Sequence, residues 1–573
     1  MSEMLHGGQI LAKALKQEGI KRIYTLGGDH TMAMYYGFID EDIEVVDARH
    51  ESAAIAMAIG EARATGKPAV AVITAGPGLA NTFGAVIDAY QDGTPVLIVS
   101  GGSAIAQNQI GSMQEFDLLP SFKPVTKWAD RCYATNRIGD YVHIAFRHMT
   151  AFGKTGPALL EVPYDVVSDV ADASAAADPG NTRAENIVLG DPVKVEQAAK
   201  LLVEAKRPVM VINRDVGFYP SNLEYLGKLA DHLHMLTGSM FEAKGLLDET
   251  NPANSLGLAA TGMADVILLV NVIPDFAYDF LNPPRFNPNA KYIFINTDAT
   301  MIGFNQPYEI GIIGTPGDVC KQIYECVAQM TEPRADYDFL QEVGAMLAPY
   351  GEMNAAKSAD SNVPISPYRA SADVLRFINE HPEYDFVNDG GDAASNITGG
   401  LANSRPRRMV YSGRYGAIGF ALPIAIGTHY ANGNKVIMTT GDGALGFFLG
   451  ELTTMVGRNL PMIVVCFNDS GWGMIREMEH AIHPETYAKY ASDPKNDIAT
   501  MNLPMNLRYD QIVAGLGGYG EMVTDPNEIY PALKRAEESG KPALINIIIN
   551  NNVEQMTDCT RGFGLGFAGL VKY

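Results

Sequence analysis

Both ends of the chain repeat one pattern: a short apolar run opened by Pro, Gly-rich punctuation, then a stretch with helical periodicity. Near the start, Lys67 to Thr74 precedes Ala75-Gly76-Pro77-Gly78, Pro95 to Ser100 follows, and Pro157 to Pro163 closes. Near the end, Lys435 to Thr440 precedes Gly441-Asp442-Gly443, then come Pro461 to Phe467 and Pro542 to Ile547. Between them lie Pro208 to Ile212, Ala264 to Val270 and Lys291 to Asn296, again separated by helix-length spacers. Continuous apolar strands alternating with helices imply parallel sheets covered on both faces. The expected fold is therefore α/β, with three doubly wound parallel-sheet domains, the first and last being variants of one another.

At roughly 150 residues per domain, 573 residues suit about three or four units. Composition shifts place the joints at Asp172 to Arg183, rich in Ala, Asp, Pro and Gly, and at Met353 to Pro367, rich in Ala, Ser, Asn and Pro. The predicted domains are 1–171, 184–345 and 366–573.

The chain carries 66 Asp+Glu against 43 Lys+Arg, a formal charge of -23 with no basic stripe, which argues against a nucleic-acid partner. No apolar run approaches the roughly 18 to 20 residues of a membrane span. Met1 to Gly19 reads as an amphipathic helix with Ile10, Leu11, Ala14 and Leu15 on one face, without a signal core. Cys132, Cys320, Cys326, Cys466 and Cys559 are few, scattered and odd in number, the usage of buried free thiols in a reducing compartment. A cytoplasmic protein is expected.

Gly441-Asp442-Gly443-Ala444 directly follows a strand, and a helix and a strand later comes Asn468-Asp469-Ser470-Gly471-Trp472-Gly473. A strand end, a glycine turn and a helix N-terminus together form a diphosphate cradle. Asp442 and Asp469, at the carboxyl ends of neighbouring strands, can place hard oxygen ligands on one Mg²⁺ that also bridges diphosphate oxygens. Each motif alone reads equally as a tight turn; their joint placement points to the site.

These motifs, with Arg49-His50-Glu51 after a strand, the Ala75 to Gly78 turn and Gln114-Glu115, resemble those of thiamine diphosphate enzymes over nearly the whole chain. The branch most similar is that of acetolactate synthase, benzaldehyde lyase and oxalyl-CoA decarboxylase. The resemblance implies an N-terminal pyrimidine-binding domain, a central domain and a C-terminal diphosphate-binding domain. It implies that Glu51 meets the aminopyrimidine ring nitrogen, whose imino tautomer takes the thiazolium proton to leave a ylide. It implies metal ligation by Asp442, Asp469 and the Gly471 carbonyl, and cofactor contacts from Gly391, Asp392, Gly441, Gly443, Ala444, Trp472 and Gly473. The Gly416 carbonyl is expected on the exocyclic amine, and the Ile418 side chain between the two rings.

By the same match, His30, in the turn Leu26-Gly27-Gly28-Asp29-His30, and Gln114 face the substrate as catalytic groups. A histidine at a helix N-terminus would be held neutral by the dipole. Trp472, Met474 and Met478 follow at helical spacing, a stripe that reads either as pocket lining or as core. Arg476 to Tyr509 is long for a plain connection and reads either as a lid or as a surface excursion. Arg405-Pro406-Arg407-Arg408 is the one candidate for coenzyme A contacts, or a solvated loop. In the central domain, relatives carry a Gly-rich run after the strand at Val209 to Ile212, whereas this chain has Asn213-Arg214-Asp215. A domain kept for architecture, without FAD or ADP, is expected.

The leading function is a lyase or carboligase dependent on thiamine diphosphate and Mg²⁺, acting through a ylide and an enamine on 2-hydroxy ketones, aldehydes or 2-keto acids. Two alternatives stand: a decarboxylase of a 2-keto acid or its CoA thioester, and a non-catalytic paralogue that binds the cofactor. The resemblance further implies a homodimer, or a homotetramer built of two dimers, with active sites at the interface.

Overall fold

The structure is a computed structural model that describes residues 3–184, 187–213, 222–391, 397–491 and 501–552. Three parallel sheets lie along the chain. The first contains Arg22–Leu26, Glu44–Asp47, Ala69–Ile73, Val96–Gly102, Trp128–Arg131 and Ala158–Pro163; numbered in chain order, the strands lie side by side as 2-1-3-4-6-5. The last contains Asp385–Asn388, Met409–Tyr411, Val436–Gly441, Met462–Asn468, Tyr519–Val523 and Ala543–Ile548, in the same order 2-1-3-4-6-5. The expected kinship of the two ends is thus a shared topology. The central sheet, from Pro208–Ile212 to Ile310–Ile313, runs 2-1-3-4-5.

Three of the four inner strands of the first sheet, Ala69–Ile73, Val96–Gly102 and Ala158–Pro163, are buried at every residue because helices cover both faces. The helices that follow the second strand of each outer sheet, Glu51–Thr65 and Ala421–Asn432, pack on each other and join the two domains through one apolar core. Their approach is set by glycine. A Cβ on Gly60 would sit 2.2 Å from the Ile424 carbonyl oxygen, and one on Gly427 would sit 1.9 Å from that of Met57. The reciprocal contacts mark an approximate twofold relation between the domains.

Two local expectations change. Met4–His6 is a strand that pairs antiparallel with Val170–Asp172, so the first helix begins at Gly7 and ends at Gln17; His6 caps it. The helix Asp338–Ser358 runs through the expected domain end at 345 and into the expected linker, its Ala-rich last turns outweighing Pro349 and Gly351. Cys132, Cys320 and Cys466 are buried free thiols and Cys326 is half-buried. Among the described residues no helix is long and apolar enough to cross a membrane.

Candidate active site

In an open parallel sheet, ligands bind at the carboxyl ends of the strands where the order reverses, here between strands 1 and 3. In the last sheet that point brings Asp389-Gly390-Gly391 beside Gly441-Asp442-Gly443, and a cavity of about 170 Å³ lies there. Asp469, Gly471, Trp472, Gly473, Ala444, Met474 and Ile418 complete its wall. Met478, one turn further along the helix Gly473–Ile482, does not line it, and Gly416 belongs to the adjoining loop. Asp392 lies outside the described residues, as do Arg214, Asp215 and Pro494.

Asp442 opens the short helix Asp442–Leu445 and is 1% exposed, yet among the described residues neither carboxylate oxygen has a hydrogen-bond partner of good geometry. Burial and the neighbouring Asp469 push its carboxyl well above the ordinary carboxylate range. A buried carboxylate in that state suits a divalent cation, which would neutralise the pair and use the vacant lone pairs. Gly471 also lines the cavity. Asn468 faces the other way: its amide donates to the Leu507 carbonyl (3.2 Å) and to Asn546 Oδ1 (3.2 Å). The second member of the Asn468-Asp469 pair is therefore the one at the cavity. A Cβ on Gly443 would fall 2.7 Å from the Trp472 ring, so the indole can close the wall only because residue 443 is glycine.

Sequence reasoning placed Asp389-Gly390-Gly391-Asp392 near the diphosphate through backbone contacts but missed the side-chain role of Asp389, and it missed two further groups, Arg476 and Asn81. Asp389 accepts from the Gly419 backbone N–H (3.0 Å) and the Thr440 hydroxyl (3.0 Å), tying the loop that carries Ile418 to the strand that delivers Asp442. Arg476 is buried, donating to Asp469 Oδ2 (3.2 Å), the Asn551 carbonyl (3.2 Å), the Met501 carbonyl (3.3 Å) and Asn502 Oδ1 (3.2 Å). The start of the 476–509 segment is thus anchored under the cavity; its residues 492–500 lie outside the described residues. Asn81 donates to Glu51 Oε2 (3.1 Å) and so orients that carboxylate.

The corresponding switch point of the first sheet gathers His30, Thr74, Gly76 and Gln114. His30 is buried, its Nδ1 3.4 Å from Thr74 Oγ1. It lies in the turn Asp29–Thr31 ahead of the helix Met32–Asp40, and burial, opposed by Asp29 and the Met113 carbonyl, lowers its basicity. Desolvation is the largest cause and favours the neutral form. Gly76 (φ +57°) lies so close to Gln114 that a Cβ would meet the Gln114 carbonyl oxygen at 2.3 Å; both line a second cavity of about 230 Å³. Glu51 opens the helix Glu51–Thr65, capped by His50, and is not in the wall of the cavity at Asp442.

The basic cluster is engaged within the fold, with Arg408 buried and Arg405 and Arg407 half-buried. Arg408 is buried and donates to the carbonyls of Ile378 (2.7 Å), His381 (2.7 Å) and Tyr384 (2.8 Å), Arg405 pairs with Asp385 (2.6 Å), and Arg407 donates to the Arg63 carbonyl. At the central sheet's strand ends, Asn213 accepts from the Tyr278 hydroxyl (3.1 Å) and Asn271 Oδ1 from the Thr297 N–H (3.0 Å).

Three family models match the chain: the N-terminal TPP binding domain of thiamine pyrophosphate enzymes over residues 5–121, their central domain over 195–323, and their C-terminal TPP binding domain over 389–547. Among curated proteins it is similar to a probable acetolactate synthase of Mycobacterium bovis, 27% identical over 558 residues, covering 96% of this chain and 97% of that one. It is also similar to oxalyl-CoA decarboxylase of Escherichia coli, at 26% over 560 residues (96% and 95%). With 2-hydroxyacyl-CoA lyase 1 of Mus musculus the identity is 24% over 561 residues (96% and 94%).

Proposed function

Because the chain belongs to the thiamine pyrophosphate enzymes, we propose that it is a Mg²⁺-dependent carbon–carbon lyase or carboligase of 2-hydroxy ketones, aldehydes or 2-keto acids. The observation that carries the site is Asp442, a buried carboxylate with no hydrogen-bond partner of good geometry among the described residues, beside Asp469 at the switch point of the last sheet. When bound, thiamine diphosphate supplies a nucleophilic carbon and an electron sink for the carbonyl substrate.

The chain's own groups do the rest. Asp442, Asp469 and the Gly471 carbonyl would hold Mg²⁺, and the glycine turns at 390–391 and 441–443 bring backbone N–H groups to the diphosphate. Asn81 holds Glu51 so that its carboxylate can take up and return a proton at the pyrimidine ring nitrogen. His30, kept neutral by burial, can accept a proton from a substrate hydroxyl or return one, and Gln114 orients the carbonyl.

The lyase or carboligase reading is preferred because the basic cluster at 405–408, the one sequence candidate for coenzyme A contacts, is occupied within the fold. Decarboxylation of a 2-keto acid or its CoA thioester remains the second reading, supported by the similarity to oxalyl-CoA decarboxylase. The central domain is read as architecture without FAD or ADP. The active unit is read as a homodimer or a pair of dimers, and the free thiols suit the cytoplasm.

Glu51→Gln should lower turnover by about 10²–10⁴-fold while leaving Mg²⁺-dependent cofactor binding in place. Undiminished turnover would remove the catalytic assignment. Assays of acyloin cleavage beside CO₂ release from a panel of 2-keto acids separate the two readings; strong CO₂ release without acyloin cleavage overturns the first.

A further inference from the structure

The loop from Ser412 to Gly419 joins the strand Met409–Tyr411 to the turn before the helix Ala421–Asn432 and carries both Gly416 and Ile418. It is anchored at both ends. At the far end, Asp389 accepts from the Gly419 N–H. At the near end, Arg414 collects partners from the other two domains. Its guanidinium donates to Asp275 Oδ2 of the central domain (2.8 Å) and, through two nitrogens, to the Gln91 carbonyl of the N-terminal domain. Its backbone N–H donates to Asp92 Oδ2 (3.3 Å).

Asp92 is itself part of a buried charge cluster. Arg63 Nη2 lies 2.7 Å from Asp92 and 3.0 Å from Asp88, all three side chains are fully buried, and Arg63 Nη1 donates to the Tyr411 carbonyl (2.7 Å). Gly413 (φ +126°) runs so close over this cluster that a Cβ would stand 2.2 Å from Asp88 Oδ1. Between the anchors the loop is open: Gly416 adopts φ +76°, and Tyr415 and Ile418 are 48% and 41% exposed. The exposed Ile418 thus owes its place to the anchors rather than to packing of its own.

We propose that Arg414 is a positioning residue for the ring half of the cofactor, and that the central domain contributes to the site through Asp275, which holds Arg414. The proposal rests on the reading of the cavity as the thiamine diphosphate site. A planar guanidinium that engages a carboxylate and a carbonyl from two domains fixes the direction of the chain at residue 414, which a flexible ammonium does not. The diphosphate end of the cavity, at Asp389 to Gly391 and Gly441 to Ala444, touches none of the Arg414 partners. Loss of Arg414 should therefore weaken recognition of the rings and spare that of the diphosphate.

Calorimetric titration of the full chain with thiamine diphosphate and with inorganic pyrophosphate, each with Mg²⁺, tests this. Arg414→Ala should weaken thiamine diphosphate about tenfold, the scale of one lost charged hydrogen bond, with pyrophosphate affinity unchanged. Arg414→Lys should fall between the two. Asp275→Asn, nearly isosteric and leaving Arg414 on Gln91, should shift the same ratio in the same direction and carries the test if Arg414→Ala does not fold. Unchanged thiamine diphosphate affinity, or an equal loss for both probes, overturns the proposal. Failure of the unmutated chain to bind either probe instead overturns the cofactor reading beneath it.

Discussion

The carboxyl of Asp389 is buried between the Gly419 N–H and the Thr440 hydroxyl, and burial pushes it up to about 6. An unfolded aspartate titrates near about 3.9. Between these values the folded chain keeps a proton that the unfolded chain has released. The stability from this group is thus complete below about pH 4 and is lost as pH rises through about 6. Asp389→Asn keeps an acceptor for the Gly419 N–H and turns an amide N–H toward Thr440, whose hydroxyl can donate to the Gly441 carbonyl instead, so it should remove that dependence, on the order of 2–3 kcal/mol between pH 4 and 7. Urea midpoints of both proteins without cofactor, at pH 4.5 and 7, provide the check; equal slopes would contradict it. At this scale the residues legible in the sequence were those with motif spacing. Asp442 and Asp469 end two buried strands and could be read as a pair, and Asn468, bonded back into the sheet, leaves Asp469 as the member at the cavity. Asn81 and Arg476 could not be read, because their roles depend on contacts across 30 and 7 residues that no local pattern encodes.

Among the elements, the contact between the helices Glu51–Thr65 and Ala421–Asn432 leaves least room for change. A Cβ at Gly427 would overlap a backbone oxygen of Met57, which no rotamer change can relieve. Gly427→Ala should therefore cost about 1–3 kcal/mol by overpacking. Gly457→Ala, at a helix end with open space around it, should cost nothing. Thermal unfolding of the two variants separates them, and equal midpoints would contradict the tight crossing. The strands that could be read in advance, such as Val266–Val270 and Met462–Asn468, are continuous apolar runs buried at every position. Edge strands could not. Trp128–Arg131 and Tyr519–Val523 carry half-buried polar residues, because one side of each lacks a neighbouring strand and the apolar pattern breaks. The end of the helix Asp338–Ser358 was hidden for a different reason: from Met353 onward its Ala, Ser and Asn composition reads as a linker, yet the helix continues to Ser358.

For the molecule as a whole, the proposal that each active site is shared between two chains sets the last expectation. Glu51, His30 and Gln114 belong to the N-terminal domain and Asp442 and Asp469 to the C-terminal one, and Glu51 is not among the residues lining the Asp442 cavity. Apolar side chains remain uncovered at both: Met113 and Phe116 are 65% and 71% exposed beside Gln114, Phe447 and Ile475 57% and 51% beside the other cavity. Exposed apolar surface beside both groups of residues is the kind of surface that a second copy of the chain would bury. If each active site takes Glu51 from one chain and Asp442 from the other, defects in the two residues should complement. A heterodimer of Glu51→Gln with Asp442→Ala, co-expressed and purified through two different tags, has one intact site of two and should show about half the native turnover. A heterodimer of the unmutated chain with the double variant has none and should be inactive. Sites built within one chain reverse both results, since the first heterodimer would then be dead and the second half-active, so a single pair of assays decides how the two halves meet.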